Sequence, residues 1–416
     1  MNKLLVIPIF GLILLMIDLY VFQAFRVMAK DKPLSRKKAT YIVYWGLTAI
    51  VFLAFLSYNL LPPNTFPQKF RFFMIVGATI IYFAKLFSVL ILFLDDIIRL
   101  VRSLFRVFTK KTVTDNSESS KISRSQFLAR TAVIAGSIPL VAMTFGIVSG
   151  AHDYRIRRQK LRFSNLPSSF DGLKIIQISD IHSGSFYSKT AVKGGVEMIL
   201  AEKPDVIFFT GDLVNDETRE VEDYIEVFEK IKAPLGVYST TGNHDYGNYR
   251  NWPSDEARDQ NNLDLIEAHK LMGWDLLMNE HRFLEVDGER IAIIGIENWG
   301  MGRFPKYGKM DLAYPGTEDA PVKILLSHDP SHWDAEVRPE YPDIDLMLAG
   351  HTHGFQFGIE VGGVKWSPSQ WMYKQWAGLY QEESQYLYVN RGYGYIGYPG
   401  RIGILPEITV IEMQKS

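Results

Sequence analysis

Five short motifs between residues 180 and 353 hold side chains that can bind metal ions or move protons. They are Asp180-Ile181-His182, Gly211-Asp212, Gly242-Asn243-His244-Asp245, Ser327-His328 and Gly350-His351-Thr352-His353. Each motif follows a short apolar run, such as 206–209 or 346–349, which predicts a buried strand with the polar residues in the loop after it. Such a set of Asp, His and Asn suits a two-metal site that cleaves phosphoesters.

Composition limits the chemistry that this site can use. The chain has 416 residues, a net charge of -1 and no cysteine. Disulfides, thiolate metal sites and a cysteine nucleophile are therefore excluded, and His, Asn, Asp and Glu remain as ligands. A net charge this close to zero gives no global field that would attract nucleic acid, so no nucleic-acid partner is expected.

Residues 1–150 are predicted to form an all-α membrane region of about four transmembrane helices. The spans at 4–25, 40–61, 72–94 and 131–150 carry no charge except Asp18 and Lys85. Each span is long enough for the ~30 Å hydrocarbon core of a bilayer. The protein is therefore expected to be integral to a membrane, and a bacterial inner membrane is the expected location.

The distribution of basic residues predicts which way the chain crosses the membrane. Loops 26–39 and 95–130 hold six and eight Lys or Arg residues, whereas loop 62–71 holds two. Basic loops face the cytoplasm, which places the catalytic domain on the outer, periplasmic or extracellular side. Five basic residues at 155–162, directly after the last span, oppose this orientation.

The remaining chain is predicted to be a soluble α/β domain at 170–416. Its composition indicates a cytoplasmic linker at 110–123 and a second linker at 151–169. Helices are expected at 190–203, 221–232 and 262–272, and further strands at 282–286, 290–296, 386–390 and 407–413. Up to Gly273 the predicted strands alternate with helices, and after it strands follow one another with little helix between them. This order predicts two packed sheets flanked by helices.

Taken in order, the five motifs resemble those of the calcineurin-like metallophosphoesterases over about residues 172–413. The closer resemblance is to membrane-anchored bacterial phosphoesterases and to transmembrane proteins with a metallophosphoesterase domain. Their closing segment is similar to Asn390-Arg391-Gly392-Tyr393-Gly394 followed by Arg401. The resemblance implies a four-layer α/β/β/α metallophosphoesterase sandwich after the membrane region.

The resemblance also implies a role for each motif residue. Seven residues would hold two divalent ions, Mn, Fe or Zn: Asp180, His182 and His353 on the first, Asn243, His328 and His351 on the second, and Asp212 on both. His244 would act beside the phosphate, on the transition state or the leaving oxygen. Asp245 would orient His244. Attack would come from a metal-activated hydroxide.

The expected substrate is phosphorylated and lipid-linked or part of the cell envelope. The expected reaction is hydrolysis of a phosphodiester or pyrophosphate bond, as in UDP-2,3-diacylglucosamine-type glycolipid precursors that similar proteins cleave. Aromatic-rich segments at 246–253, 298–314 and 366–380 could wall the pocket. The last segment contains Trp371 and Trp376, which either contact lipid or fill the core. Arg391 and Arg401 either contact phosphate or pair with acidic residues.

Other function classes stay open. A nuclease or cyclic-nucleotide phosphodiesterase could use the same metal ligands. A non-catalytic membrane sensor or scaffold could bind metal through a phosphatase-like domain, although metal binding alone does not require His244 and Asp245. A transporter could use Asp18 and Lys85, which are ionisable residues within spans.

Overall fold

A computed structural model describes residues 3–62, 65–108, 124–302 and 304–416 of the chain. The chain divides into two compact units, Met1–Phe145 and Gly146–Ser416. The linker predicted at 110–123 lies outside the described residues. The second unit carries all five motifs and is called the catalytic unit below.

The membrane region consists of four long apolar helices. They are α1 (Lys3–Ala29), α2 (Leu34–Leu60), α3 (Gln68–Phe108) and α4 (Arg124–Val148). Four candidate spans lie on them, with mean hydropathy between 1.9 and 2.2. The four predicted spans are confirmed, but the helices are longer than predicted. The basic loop expected at 26–39 is largely helical, and α3 continues past residue 94 to Phe108.

The two ionisable residues inside the predicted spans pair with each other. Lys85 Nζ bonds the Asp18 carboxylate, which also accepts hydrogen bonds from Thr48 Oγ1 at 3.0 Å and Tyr82 OH at 2.8 Å. A charge in a bilayer core is costly unless it is paired, and this cluster satisfies both charges while joining α1, α2 and α3. The ion pair thus gives a structural reason for Asp18 and Lys85, the two residues on which the transporter alternative depended.

The catalytic unit contains two six-stranded sheets and one hairpin, with strands numbered in chain order. The first sheet has the order β1 (Arg155–Phe163), β14 (Glu407–Lys415), β2 (Lys174–Ile178), β3 (Val206–Thr210), β4 (Val237–Thr240) and β5 (Asp275–Leu276). The second has the order β12 (Gly378–Glu382), β13 (Gln385–Val389), β9 (Leu346–Ala349), β8 (Lys323–Leu326), β7 (Glu289–Gly295) and β6 (Glu280–Val286). The hairpin pairs β10 (Ile359–Val361) with β11 (Val364–Trp366).

Parallel strands form the centre of each sheet. In the first sheet β2, β3, β4 and β5 are parallel, and β14 is antiparallel to β2. In the second sheet β7, β8, β9 and β13 are parallel, while β6 and β12 are antiparallel edge strands. Because the carboxyl ends of parallel strands meet at one edge of a sheet, the loops that hold the motifs share that edge.

The four-layer arrangement follows from alternate burial along the strands. Ile175 of β2 and Ile324 of β8 belong to one apolar core between the sheets. Ile176, the next residue on β2, packs on the outer face against helices, and Leu325 does so on the other sheet. Successive side chains of a strand point to opposite faces, so each sheet is covered on both sides. The predicted α/β/β/α sandwich is confirmed.

Five α-helices belong to the described part of the catalytic unit. They are α5 (Lys189–Ala201), α6 (Ile225–Phe228), α7 (Asp255–Leu271), α8 (Met310–Ala313) and α9 (Arg338–Glu340). The side chains of Ser188 and Ser254 accept the backbone N–H three residues on, at the starts of α5 and α7. The helix predicted at 221–232 is mostly a 3-10 segment, Thr218–Tyr224, that continues into the short α6.

The linker predicted at 151–169 is not a linker in the structure. Residues 155–163 form β1, which pairs in parallel with β14 over nine residues. The prediction was wrong because most residues of β1 are basic or polar. At this edge of the sheet only Leu161 and Phe163 of the strand are buried, so the strand lacks the apolar alternation that identifies a half-buried strand.

Candidate metal centre

The predicted ligands lie in loops that leave five strand ends. Each of these five strands ends one or two residues before a motif: β2, β3 and β4 in the first sheet, and β8 and β9 in the second. The two sheets are tied together there, because Gln177 Nε2 donates to the carbonyl of Ala349, at 2.9 Å. Residues from distant parts of the chain thereby come within bonding distance of one another.

A first ligand group consists of Asp180, His182 and His353. One ligand atom from each residue lies within 4.8 Å of the others. His182 Nε2 and His353 Nε2 are 3.0 Å apart, and His353 Nε2 is 3.2 Å from Asp180 Oδ1. All three residues are buried, so they can surround one ion. This is the set that the sequence assigns to the first metal.

A second ligand group consists of Asp212, His328 and His351, again within 4.8 Å. His328 Nδ1 is 2.6 Å from the carbonyl of Thr210, which holds the ring with Nε2 directed at Asp212 Oδ2, 3.1 Å away. The same Asp212 oxygen is 3.5 Å from His182 Nε2 of the first group. Asp212 therefore lies between the two groups, where one carboxylate can serve two ions.

Asn243 provides an observation that fits a metal ligand. Its Nδ2 donates to the hydroxyl of Tyr249, at 2.8 Å. Its Oδ1 is buried and makes no hydrogen bond to any part of the chain that the structure describes. A buried amide oxygen without a donor is costly, and a divalent cation would satisfy it. The residues present therefore fit a pair of divalent ions.

The backbone at the ligands is unusual for residues with side chains. Asp180, His182, Asp212, His351 and His353 all have φ between 48° and 69°, in the left-handed region. This conformation is disfavoured for non-glycine residues and concentrates at functional sites. The folded sheets thus hold these five residues in turns that aim their side chains at one point.

Gly350 shows how closely the turns approach each other. A Cβ atom at this position would overlap the side chains of Ser179 and Asp180. Only glycine can therefore stand where the turn after β9 passes the turn after β2. The backbone N–H of the next residue, His351, donates to both Asp180 carboxylate oxygens at 3.0 and 3.1 Å.

The electrostatic environment keeps most ligands in the form that binds metal. Burial lowers the pKa of His182, His351 and His353, so these imidazoles stay neutral. Burial also disfavours the His328 cation, but the carboxylates around it, Asp212 first, outweigh this effect and raise the pKa of His328 to about 10. The carboxylates thus create a negative potential that favours any cation in the site.

His244 is held at the site by a backbone carbonyl. Its Nδ1 is 2.7 Å from the carbonyl of Asn215, and its ring centroid is 5.0 Å from that of His182. Donation from Nδ1 leaves Nε2 available to accept or deliver a proton. The contact with Asn215 could not be predicted, because a backbone carbonyl accepts a hydrogen bond whatever side chain its residue carries.

The carboxylate of Asp245 bonds backbone groups rather than the ring of His244, which it was predicted to orient. Its buried carboxylate accepts the backbone N–H groups of Gly242, Asp212 and Leu213 at 2.8–2.9 Å, and of Val214 at 3.3 Å. Asp245 therefore joins the turns after β3 and β4 and fixes the backbone that carries Asp212 and His244. Burial and the nearby Asp212 carboxylate raise the pKa of Asp245 to about 7.

Arg391 and Arg401 are both buried inside the protein. Arg391 donates to Glu407 Oε2 at 2.5 Å and to Glu360 Oε1 at 2.9 Å. Arg401 donates to backbone carbonyls, including that of Gly394, and its Nη2 is 3.0 Å from His353 Nδ1. The structure thus supports the structural alternative for Arg391. Arg401 contacts a metal-ligand candidate from behind.

A cavity of about 580 Å³ lies over both ligand groups. Its polar lining comprises His182, Asp212, Asn243, His244, His351 and His353. Each predicted aromatic segment contributes one aromatic side chain to its wall: Tyr249, Phe304 and Tyr373. The Tyr373 hydroxyl is 2.8 Å from His351 Nε2, and Phe304 meets the His351 ring edge-on at 4.7 Å.

Trp371 and Trp376, predicted to act together, have different environments. Trp376 is 4% exposed and packs with Ala377 and Ile404 in a small core cluster. Trp371 is 74% exposed. Core filling thus explains Trp376, and contact with lipid stays a prediction for Trp371.

Sequence reasoning missed Asp329, which lies directly behind a metal-ligand candidate. Its Oδ2 is 3.6 Å from His351 Nε2. At this distance the carboxylate acts on the imidazole through its charge rather than through a hydrogen bond. Its position directly after His328 was the one available signal in the sequence.

Comparison with known proteins identifies the class of this site. The family profile described as "Probable Calcineurin-like phosphoesterase, transmembrane domain" matches residues 2–151. The profile described as "Calcineurin-like phosphoesterase" matches residues 173–355. The chain belongs to the calcineurin-like metallophosphoesterases, in which it combines a four-helix membrane domain with the phosphoesterase domain. The resemblance inferred from the five motifs is thereby confirmed.

Three relatives match this chain over more than half of its length. An uncharacterized metallophosphoesterase of Bacillus subtilis is 31% identical over 71% of this chain and 99% of its own length. A transmembrane protein with metallophosphoesterase domain from Danio rerio is 30% identical over 69% of this chain, and the match spans 63% of that longer protein. A UDP-2,3-diacylglucosamine pyrophosphatase of Chlamydia trachomatis is 28% identical over 55% of this chain and 81% of its own.

Proposed function

We propose that the protein is a two-metal phosphohydrolase that cleaves phosphodiester or pyrophosphate bonds of a lipid-linked or envelope substrate. The observation that carries the proposal is the position of Asp212 Oδ2, which is 3.5 Å from His182 of the first ligand group and 3.1 Å from His328 of the second. A carboxylate shared between two sets of ligands is what a bridged pair of divalent ions requires. Mn, Fe or Zn would suit the mixture of imidazole and oxygen ligands.

The chain supplies both the metal ligands and an acid–base group. Two divalent ions held by the seven residues would neutralise phosphoryl oxygens and lower the pKa of a water molecule. His244 would act beside the phosphate. Its Nδ1 donates to Asn215, so its Nε2 can carry the proton that the leaving oxygen needs. Asp245 supports this arrangement by holding the backbone of both turns.

Three features favour a lipid-linked substrate. The chain carries four apolar helices, so the catalytic unit belongs to a membrane protein. Aromatic side chains wall the cavity beside the polar lining, which suits a substrate with an apolar part. The Chlamydia trachomatis relative is named for the hydrolysis of a diacylated sugar nucleotide.

Ion pairing on β1 argues against a nucleic-acid substrate. The basic residues after the last span are engaged with acidic neighbours, because Arg157 pairs with Glu360 and Lys160 with Glu412. A nuclease requires an open basic groove for the phosphate backbone. We therefore propose no second catalytic function.

The proposed activity can be measured on the full chain purified in detergent with added Mn. Aryl phosphodiester and monoester substrates would report turnover, and their ratio would give the preference for diesters. Asn243→Ala should lower kcat/KM by about 100-fold, which corresponds to ~2.7 kcal/mol of lost transition-state stabilisation. His281→Ala, a histidine outside the site, is the control and should keep normal activity.

The same preparation separates an enzyme from a sensor. Two metal ions bound per chain without turnover of any phosphoester or pyrophosphate probe would support a non-catalytic sensor or scaffold. Fewer than two bound ions in a folded protein would contradict the two-metal site itself.

A further inference from the structure

The hairpin of β10 and β11 presents its apolar side to the outside of the catalytic unit. Ile359 pairs with Trp366 and Val361 with Val364 across the hairpin, so all four side chains share one face. Ile359, Val361 and Val364 are 56%, 72% and 64% exposed. Gly362 and Gly363 both have positive φ, as a tight two-residue hairpin turn requires.

The opposite face of the hairpin is fastened to the protein by charges. Glu360 accepts Arg157 Nη1 at 3.1 Å and Arg391 Nη2 at 2.9 Å. Lys365 Nζ donates to the carbonyl of Ala377. A hairpin that faces water normally turns its charged residues outward and its apolar residues inward. This hairpin instead turns its apolar residues outward, and the contacts of Glu360 and Lys365 hold it in that orientation.

Exposed apolar side chains continue from the hairpin to the rim of the metal cavity. The ring of Trp366 lies 6.3 Å from Phe357 and 6.1 Å from Trp371. Phe355 and Met372, which are adjacent in sequence to this patch, are exposed and line the cavity over the ligand groups. We call the apolar side chains of Phe357, Ile359, Val361, Val364, Trp366 and Trp371 the docking face; all are exposed except Trp366, which is partly buried.

The base of the hairpin is close to the residues through which the chain enters the catalytic unit from its last span. Ile402 N donates to Gln356 O at 2.7 Å, and Gly358 N donates to Ile402 O at 2.9 Å. The neighbouring Arg401 N donates to Gly146 O at 3.1 Å. Gly146 lies in the final turns of the candidate span Ser125–His152. One short segment thus separates the hairpin from the end of a membrane helix.

We propose that the docking face inserts into the interfacial layer of the bilayer to which the chain is anchored. A bilayer is present wherever the last span ends, so the apolar face has this occupant available without recruitment of another protein. Its aliphatic and Trp side chains, free of charge, are the types that enter the boundary between headgroups and acyl chains. The metal cavity would then open at the lipid surface. Docking itself does not depend on the proposed function.

The absence of cysteine in the chain allows a direct test. Val361→Cys carries a nitrobenzoxadiazole label in the full chain, reconstituted in lipid nanodiscs. Leu263→Cys on α7, which is 59% exposed, is the matched control. The label at residue 361 should show blue-shifted emission and lose intensity with acyl chains that carry a doxyl quencher. The label at residue 263 should show the emission of a water-exposed group.

Two outcomes would overturn the docking proposal. Water-like emission at both positions would show that the face does not enter the bilayer. The label could instead show blue-shifted emission that lipid quenchers leave unchanged, while unlabelled Val361→Cys forms disulfide-linked dimers. This pair of results would identify a second copy of the chain as the occupant.

Activity gives a second measurement, which rests on the proposed function. Val361→Asp/Val364→Asp should lower hydrolysis of phosphatidyl-p-nitrophenol in nanodiscs about tenfold, the factor that ~1.4 kcal/mol of lost partitioning produces. Hydrolysis of a soluble aryl phosphodiester should not change. An equal fall for both substrates would contradict docking. If the unsubstituted chain cleaves neither substrate, the proposed function fails while the label at residue 361 still decides docking.

Discussion

Replacing Arg391 with methionine should destabilise the catalytic unit rather than weaken substrate binding. Its guanidinium bonds the carboxylate of Glu407, which is fully buried. Without Arg391 the carboxylate keeps hydrogen bonds from the Tyr388 and Thr409 hydroxyls, both at 2.6 Å. Arg157 Nε, 3.6 Å away, is too distant for a hydrogen bond and only partly offsets the buried charge. Leaving one partner of a buried ion pair alone costs about 3–5 kcal/mol.

This cost should be visible as a change in thermal unfolding. For a domain of this size about 1 kcal/mol shifts Tm by roughly 2–4 °C, so Arg391→Met should lower Tm by roughly 6–20 °C. Tryptophan fluorescence of the full chain in detergent can follow unfolding, because every Trp except Trp45 lies in the catalytic unit. Arg338→Met removes a partly exposed ion pair with Asp334 and should cost no more than about 1 kcal/mol.

Two further measurements sharpen the Arg391 prediction. Arg391→Met/Glu407→Gln should be more stable than Arg391→Met, because no buried charge is left alone. Burial raises the pKa of Glu407, but Arg391 first, and then Arg157 and the Thr409 and Tyr388 hydroxyls, outweigh burial and hold the pKa below its usual value. In wild type this carboxylate therefore stabilises the fold at pH values above its unfolded pKa, and the contribution is lost as the pH falls through the folded pKa. Without Arg391 the largest of these lowering contributions is gone, so the folded pKa rises and acidification reduces the penalty.

The loss of stability in Arg391→Met should therefore be smaller at pH 5 than at pH 8. An unchanged Tm together with a raised KM for aryl phosphodiesters would refute this reasoning, since it would make Arg391 a substrate contact. A penalty that grows as pH falls would also contradict it.

Three other substitutions or treatments test the site and its support. Removal of metal with a chelator should lower the Tm of the catalytic unit, because the ligand carboxylates repel each other without cations, and added Mn should restore the Tm. An unchanged Tm would count against a metal site. Gly350→Ala should reduce bound metal, measured by mass spectrometry, because its Cβ would overlap the Asp180 carboxylate; two ions per chain would contradict this. Gly194→Ala on α5 should raise the free energy of unfolding by about 0.5–1 kcal/mol in thermal melts, because a Cβ at this position meets open space. Gly195→Ala should lower the free energy of unfolding, because its Cβ would overlap the Tyr393 side chain.

The sequence by itself determined the class of the protein and the residues that form the site. Apolar runs predicted β2, β3, β4, β8 and β9, because a buried strand needs little beyond its own side chains to be recognised. The polar residues after these strands then marked one edge of each sheet. The uncharged spans predicted the membrane helices, since a bilayer core restricts the composition of every segment that crosses it.

The tertiary structure alone decided how the supporting residues act. β1 is held by its register with β14, and no local pattern in its basic sequence reveals that pairing. Asp245 binds four backbone N–H groups rather than the ring of His244, and Arg391 is enclosed by Glu407 and Glu360. Sequence shows which groups can be charged or can donate hydrogen bonds, but folding selects their partners. The outward direction of the hairpin's apolar face has the same origin, because its long-range salt bridges set which side is buried.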